Sequence, residues 1–285
     1  MSDKINLIEC PRDAMQGWTA MIATEKKIEY LNQLLQVGFD TLDFGSFVSP
    51  KAIPQMADTR EVLSELNTDT SETQLLAIVA NKRGALDAAS FSKIDFLGFP
   101  FSVSPTFQMK NTNSTIEDSF ELLKEINDIS KDSNKQLVVY LSMGFGNPYG
   151  DLFSEQLVID WGQKIADLGV GIISIADTVG MATPDQVSSI SAGLIKAVPQ
   201  AEIGVHLHST PQVWKEKLAA AYGAGVRRFD GALKGIGGCP MSGNELVGNM
   251  NTEWMIDYFE ELGSLKPLNK SALAQSLNLA NQIFI

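Results

Sequence analysis

Short apolar runs alternate with amphipathic segments along the chain, the pattern of parallel strands joined by crossover helices. About eight strands are expected, at Ile5–Ile8, Thr41–Phe44, Leu75–Ala80, Phe96–Phe99, Leu137–Leu141, Gly171–Ile175, Glu202–His206 and Arg227–Asp230. The intervals hold helix signals. Thr24 caps a segment with Ile28, Leu31, Leu34 and Leu35 on one face, and Gly38 stops it. Ser114 and Glu117 form a capping box ahead of Ile116, Phe120, Leu123 and Ile126. Thr183-Pro184-Asp185-Gln186 supplies a cap, a first-turn proline and a returning glutamine. Ser271 to Ile285 reads as an apolar helix that packs on the outside of the fold or against a second subunit of a homodimer.

A chain of 285 residues built this way fits a single domain over residues 1–285, an α/β fold of the (β/α)8 TIM-barrel type. No low-complexity stretch or Pro/Ser-rich linker divides it. In such a barrel the active site forms at the C-terminal ends of the strands, so polar residues just after each strand become candidates.

Composition narrows the partners. Lys plus Arg number 22 against 34 Asp plus Glu, a formal charge of −12, which excludes a general attraction to nucleic acid or to an anionic membrane. Apolar runs fall short of the roughly 20 residues that span a bilayer. The two cysteines, Cys10 and Cys239, lie far apart, and no apolar secretory region follows Met1, so a cytoplasmic protein is expected.

Val205-His206-Leu207-His208 holds both histidines of the chain. Imidazoles separated by one residue point to the same side of an extended strand, which is a chelating geometry, although chance places such pairs on surfaces too. Here they end a buried strand. Other strand ends supply Glu9 to Gln16, with Arg12 and Asp13 in one turn; Asp43 and Ser46; Asn81; Ser142; and Asp177-Thr178. Salt-bridged loops, helix caps and turns use the same residue types. Lys234-Gly235-Ile236-Gly237-Gly238-Cys239-Pro240 has the glycine content of a lid, and a thiol of ordinary pKa, about 8.5, is mainly protonated at neutral pH and able to act as an acid. Two imidazoles with Asp13 and Asn249 would give a mixed nitrogen and oxygen set that favours Mg2+ or Mn2+ over Zn2+.

Pro11-Arg12-Asp13-x-x-Gln16, Ser46-Phe47-Val48-Ser49-Pro50-Lys51 with Pro54-Gln55-Met56, Asp177-Thr178-x-Gly180 with Thr183-Pro184, His206-x-His208, Gly237-Gly238-Cys239-Pro240 and Gly248-Asn249 together resemble the 3-hydroxy-3-methylglutaryl-CoA lyase family. The resemblance implies a divalent-metal lyase acting on an acyl-CoA, which cleaves that thioester to acetyl-CoA and acetoacetate in leucine degradation. It implies Asp13, His206, His208 and Asn249 as metal ligands, and Arg12, Asp13 and Cys239 as catalytic groups. Arg12, Gln16, Asp43, Ser46, Ser142 and Asp177 are the expected substrate contacts. The acceptor of the hydroxyl proton stays open between Asp13 and a histidine. Lys51, Lys110 and Lys234 could meet phosphate or serve only as solvated surface.

Departures from the family pattern bear on the substrate. Asp43 stands where glutamate is usual, Gly17-Trp18 replaces Asn-Glu, Ser209-Thr210-Pro211-Gln212 replaces Asp-Thr-Tyr-Gly, and Met241 replaces a tyrosine. The competing readings are a Claisen-type acyltransferase, an aldolase for 4-hydroxy-2-oxo acids, and an inactive metal-binding barrel.

Overall fold

The computed structural model describes residues 4–238 and 247–285. Among these, parallel strands close into a barrel in sequence order: β1 (Asn6–Glu9), β2 (Thr41–Ser46), β3 (Gln74–Ile78), β4 (Phe96–Ser102), β5 (Gln136–Ser142), β6 (Ile172–Ala176), β7 (Glu202–His206) and β8 (Arg228–Gly231). This is the (β/α)8 barrel that the alternation predicts. β2, β6 and β8 are buried at every residue, as strands covered on both faces must be. Leu76, Ile78, Phe96, Val138, Tyr140 and Ile172 pack together as one buried cluster, separate from the larger core. β1 pairs with β8 from Asn6↔Arg228 to Glu9↔Gly231, which closes the cylinder.

The largest difference from the expected boundaries is at β4, which continues beyond Phe99 through Pro100 to Ser102. Proline has no N–H to give a ladder, and the pairing of β3 with β4 ends at Ile78↔Gly98, before Pro100 needs one. The β5 side continues to Ser102↔Ser142. In β2 the register against β3 shifts between Asp43 and Gly45, a bulge at the end of the strand that carries Asp43.

Two caps fall one residue away from expectation. Ala23, with extended backbone, is the N-cap of helix Thr24–Leu35, while the Thr24 hydroxyl donates to Asp58 Oδ2 at 2.8 Å. Thr115 caps helix Ile116–Asp132 by accepting from the Asp118 N–H, because Thr115-x-x-Asp118 satisfies the same spacing rule as Ser114-x-x-Glu117. The Thr183/Gln186 capping box forms as read. The C-terminal helix Lys270–Ile283 packs on helix Thr24–Leu35, and the Phe284 ring meets Trp18 edge-on at 5.3 Å. No described helix is long and apolar enough to cross a membrane.

Candidate functional site

β1 leads through Cys10 into the short helix Pro11–Gln16, whose opening proline needs no hydrogen-bond donor. That helix brings Arg12, Asp13 and Gln16 to the barrel mouth. The Arg12 guanidinium reaches Asp43 Oδ2 through Nε at 3.0 Å and Nη2 at 2.5 Å, and its Nη1 donates to Asp13 Oδ1 at 3.1 Å. Gln16 Nε2 donates to the same Asp13 oxygen at 3.1 Å, the reach of an i, i+3 pair on one helix turn.

His206 ends β7 and His208 follows two residues later, with ring centroids 5.4 Å apart. His206 Nδ1 lies 3.2 Å from Asp230 Oδ2, which leaves Nε2 for the site. His208 forms an antiparallel bridge with Asn249, flanked by Met250 N–H donating to Leu207 O and Ser209 N–H donating to Gly248 O. Asn249 Nδ2 donates to Asp13 Oδ2 at 2.7 Å and to Ile236 O at 2.9 Å. Its Oδ1 is buried with no hydrogen-bond partner among the described residues. Ligand atoms of Asp13, His206 and His208 all lie within 4.8 Å of one another. Gly237, at φ +111°, must be glycine: a Cβ there would stand 2.4 Å from Asn249 Nδ2 and 3.0 Å from Asp13 Oδ2.

Burial would raise the Asp13 pKa, but Arg12 and then His206 outweigh it and hold the carboxyl at about 2. Burial, followed by the charge of His206, lowers His208 to about 4, so that ring stays neutral. Burial would lower His206 as well, but its bond and charge interaction with Asp230, together with the charge of Asp13, outweigh burial and raise that ring. Burial lifts Asp43 to about 6 against the pull of Arg12. Glu9, lifted to about 8 by burial, accepts from Leu233 N–H and Thr252 Oγ1 at 2.8 and 2.6 Å. It thereby ties the end of β1 to both flanks of the stretch that carries Ile236, Gly237 and Asn249.

The donor atoms of Asp13, His206 and His208 fit a hard or borderline dication, and Asn249, whose Nδ2 meets Asp13, carries an oxygen without a hydrogen-bond partner among the described residues. A second group of potential ligands, Cys10, His206 and Asp230, fits less well. Burial, and then Asp230, push the Cys10 thiol well up and keep it protonated, and Asp230 already pairs with His206.

Other expected site residues lie in different settings. Ser46 Oγ donates to Ile78 O within the barrel wall at 3.3 Å, and Ser142 ends β5 with its carbonyl accepting from Val103 N–H. Asp177 is bonded within the scaffold: its Oδ1 accepts from Ala182 N–H and its Oδ2 from the buried Lys217 ammonium at 2.8 Å. Those bonds engage both carboxylate oxygens inside the scaffold. Asn81 is a helix cap, accepting from Gly84 N–H. Lys51 is exposed, and Lys110 lies over the Tyr149 ring at 4.2 Å. Cys239 and Met241 lie outside the described residues. The sequence reading missed Asp230 and Lys217. Asp230 stands at a strand end and the strand-end rule could have found it, whereas no spacing marks Lys217.

A parallel eight-stranded barrel with a carboxylate, imidazoles and an amide gathered at its C-terminal mouth has the donor set of a barrel with a cation site at that end. The chain belongs to the HMGL-like family, whose model matches residues 5–280. It is 32% identical to the hydroxymethylglutaryl-CoA lyase of Bacillus subtilis (strain 168) over 252 residues, 88% of this chain and 83% of that protein. It is 29% identical to the (R)-citramalyl-CoA lyase of Chloroflexus aurantiacus, over 92% of this chain and 85% of that one. Among solved structures, an HMG-CoA lyase from Acinetobacter baumannii in complex with coenzyme A and 3-methylmalate matches with a TM-score of 0.91 and 32% identity, over 100% of this chain and 92% of that one.

Proposed function

We propose that the protein is a divalent-cation-dependent lyase that cleaves 3-hydroxy-3-methylglutaryl-CoA to acetyl-CoA and acetoacetate. The observation that carries this reading is the convergence of ligand atoms of Asp13, His206 and His208 within 4.8 Å of one another, with the Asn249 amide bonded to Asp13. Those four side chains would hold Mg2+ or Mn2+, with Zn2+ the second choice for a set of two oxygen and two nitrogen donors. When bound, the ion supplies Lewis acidity and orients the oxygens of the substrate.

The chain's own groups supply the charge stabilisation and the returning proton, with the hydroxyl proton passing to Asp13 or a histidine. Arg12, clamped between Asp43 and Asp13, is a fixed positive charge for the enolate oxygen that develops as the carbon–carbon bond breaks. Neutral His208 keeps a lone pair for coordination, and Asp230 fixes the ring orientation of His206. The Cys239 thiol serves as the acid that returns a proton to the carbanion. Cys239→Ser is expected to leave Mn2+ and substrate binding intact and to lower kcat by about 10²–10⁴-fold, the usual size of general-acid assistance. Single-turnover kinetics check this, and near-normal turnover would remove the thiol from the reaction.

The function is tested by supplying the purified protein and Mg2+ with hydroxymethylglutaryl-CoA, citramalyl-CoA and a 4-hydroxy-2-oxo acid in parallel. Acetoacetate from the first, at the highest kcat/KM of the three, is the expected result. The second has a specific claim, since the citramalyl-CoA lyase is about as similar in sequence as the hydroxymethylglutaryl-CoA lyases. Preference for it would replace the substrate and keep the chemistry. Cleavage of the oxo acid alone would overturn the reading.

A further inference from the structure

The ammonium of Lys217 is buried on helix Trp214–Gly223, outside the cluster described above, and its bonds run to three separate places. It donates to Asp177 Oδ2 at 2.8 Å, to His208 O at 2.9 Å and to Gly180 O at 3.3 Å. An ammonium has three N–H groups, so these acceptors use all of them. Two belong to the segment after β6, and the third is the carbonyl of a residue whose imidazole faces Asp13. Asp177 is fixed in turn by Ala182 N–H on Oδ1, while its own N–H donates to His206 O.

The backbone of His208 is therefore held from two sides. On one side run the bonds of Leu207 and Ser209 to Met250 and Gly248, which also align Asn249. The other side carries a single bond, from Lys217. Without it the His208 carbonyl would be a buried acceptor with no other donor among the described residues, free to turn with the peptide plane, and the ring would follow.

We propose that Lys217 is a positioning residue for the cation centre: it fixes the main chain of His208 so that the imidazole stays aimed at Asp13 and Asn249. A second bond from the same ammonium holds Asp177 Oδ2. The inference rests on reading Asp13, His206, His208 and Asn249 as cation ligands. Outer partners of metal-binding histidines commonly change metal affinity by about 10–100-fold when removed, and Lys217 acts through the backbone where such partners usually act through the ring.

The test measures Mn2+ affinity and the spectrum of bound Mn2+ by electron paramagnetic resonance, with circular dichroism to establish that each variant keeps the barrel. Wild-type protein is expected to bind Mn2+, and Lys217→Met to bind it about 10–100-fold more weakly with an altered spectrum. Asp177→Asn, which retains the ammonium on His208 O, is expected to bind as wild type does. Lys217→Met leaves a carboxylate buried without its partner and can fail to fold; the double variant Lys217→Met with Asp177→Asn removes that charge and decides the matter. It is expected to bind as weakly as the single Lys217 variant. Wild-type affinity in the double variant would mean that Lys217 only neutralises Asp177, and would overturn the inference, as would undiminished affinity in a folded Lys217→Met. A wild-type protein that binds no Mn2+ would instead overturn the cation reading itself.

Discussion

Asp13→Ala is expected to abolish measurable Mn2+ binding and to lower kcat by roughly 10³-fold or more, the kinetic equivalent of the several kcal/mol that a Lewis-acid ion contributes. Asp13 is the hub of the site. Its Oδ1 accepts from Arg12 and Gln16 and its Oδ2 from Asn249, so one carboxylate aligns the guanidinium and two amides while one of its oxygens lies within 4.8 Å of a ligand atom of each imidazole. Its pKa of about 2 keeps it ionised throughout the range in which the protein would work. Asp13→Asn separates charge from shape. It preserves the size of the side chain but offers an NH2 where Asn249 also presents one, so Mn2+ affinity is expected to fall nearly as far as in the alanine variant. Calorimetric titration with Mn2+ reads both, and unchanged affinity in Asp13→Ala would remove Asp13 from the coordination shell.

Arg12→Lys carries the second large effect: kcat is expected to fall by about 10²–10³-fold, the cost of losing one preorganised donor to a developing oxyanion. Substrate affinity should change far less. Lysine keeps the positive charge, yet a single ammonium cannot reproduce a planar fork that engages Asp43 through two nitrogens and Asp13 through a third. Arg12→Met would be a poorer probe, because it would strand Asp43 unpaired in the interior, where breaking a buried pair costs about 3–5 kcal/mol. If Arg12 merely balanced the charge of Asp43, lysine would serve. Wild-type kcat in Arg12→Lys, measured at saturating substrate, would therefore show that the guanidinium does not face the reacting atoms.

The barrel is legible because short apolar runs and helical apolar patterns alternate without interruption, and burial on both faces makes the parallel strands read as such runs. What escaped depended on neighbours distant in sequence. The proline at 100 reads as the end of a strand unless one knows that β3 has already stopped pairing at Gly98. Thr115 and Ser114 offer the same spacing to a cap, and only the backbone angles choose between them. His206 and His208 announce themselves by proximity, but Asp13 and Asn249 are 236 residues apart and meet only through closure of the cylinder, so their pairing came from resemblance to a family. Asp177 obeys the strand-end rule, and its two carboxylate oxygens are bonded to Ala182 N–H and to Lys217. Lys217 arrives from the helix after the next strand, and nothing in the local sequence around Asp177 reports it.

Because β1 hydrogen-bonds to β8, the place where the polypeptide's first and last strands are zipped together is also where Asp13 and Asn249 touch. An ion gripped by both would act as a rivet across that seam, joining the two ends of the chain with no covalent link. Ligands that bind only the folded form stabilise it by mass action, by about 2.7 kcal/mol at a hundredfold excess over Kd. For a domain of this size that corresponds to a rise in Tm of roughly 5 °C on adding Mn2+, reversed by chelation. A melting curve indifferent to both additions would mean that the seam is held by its ladder alone.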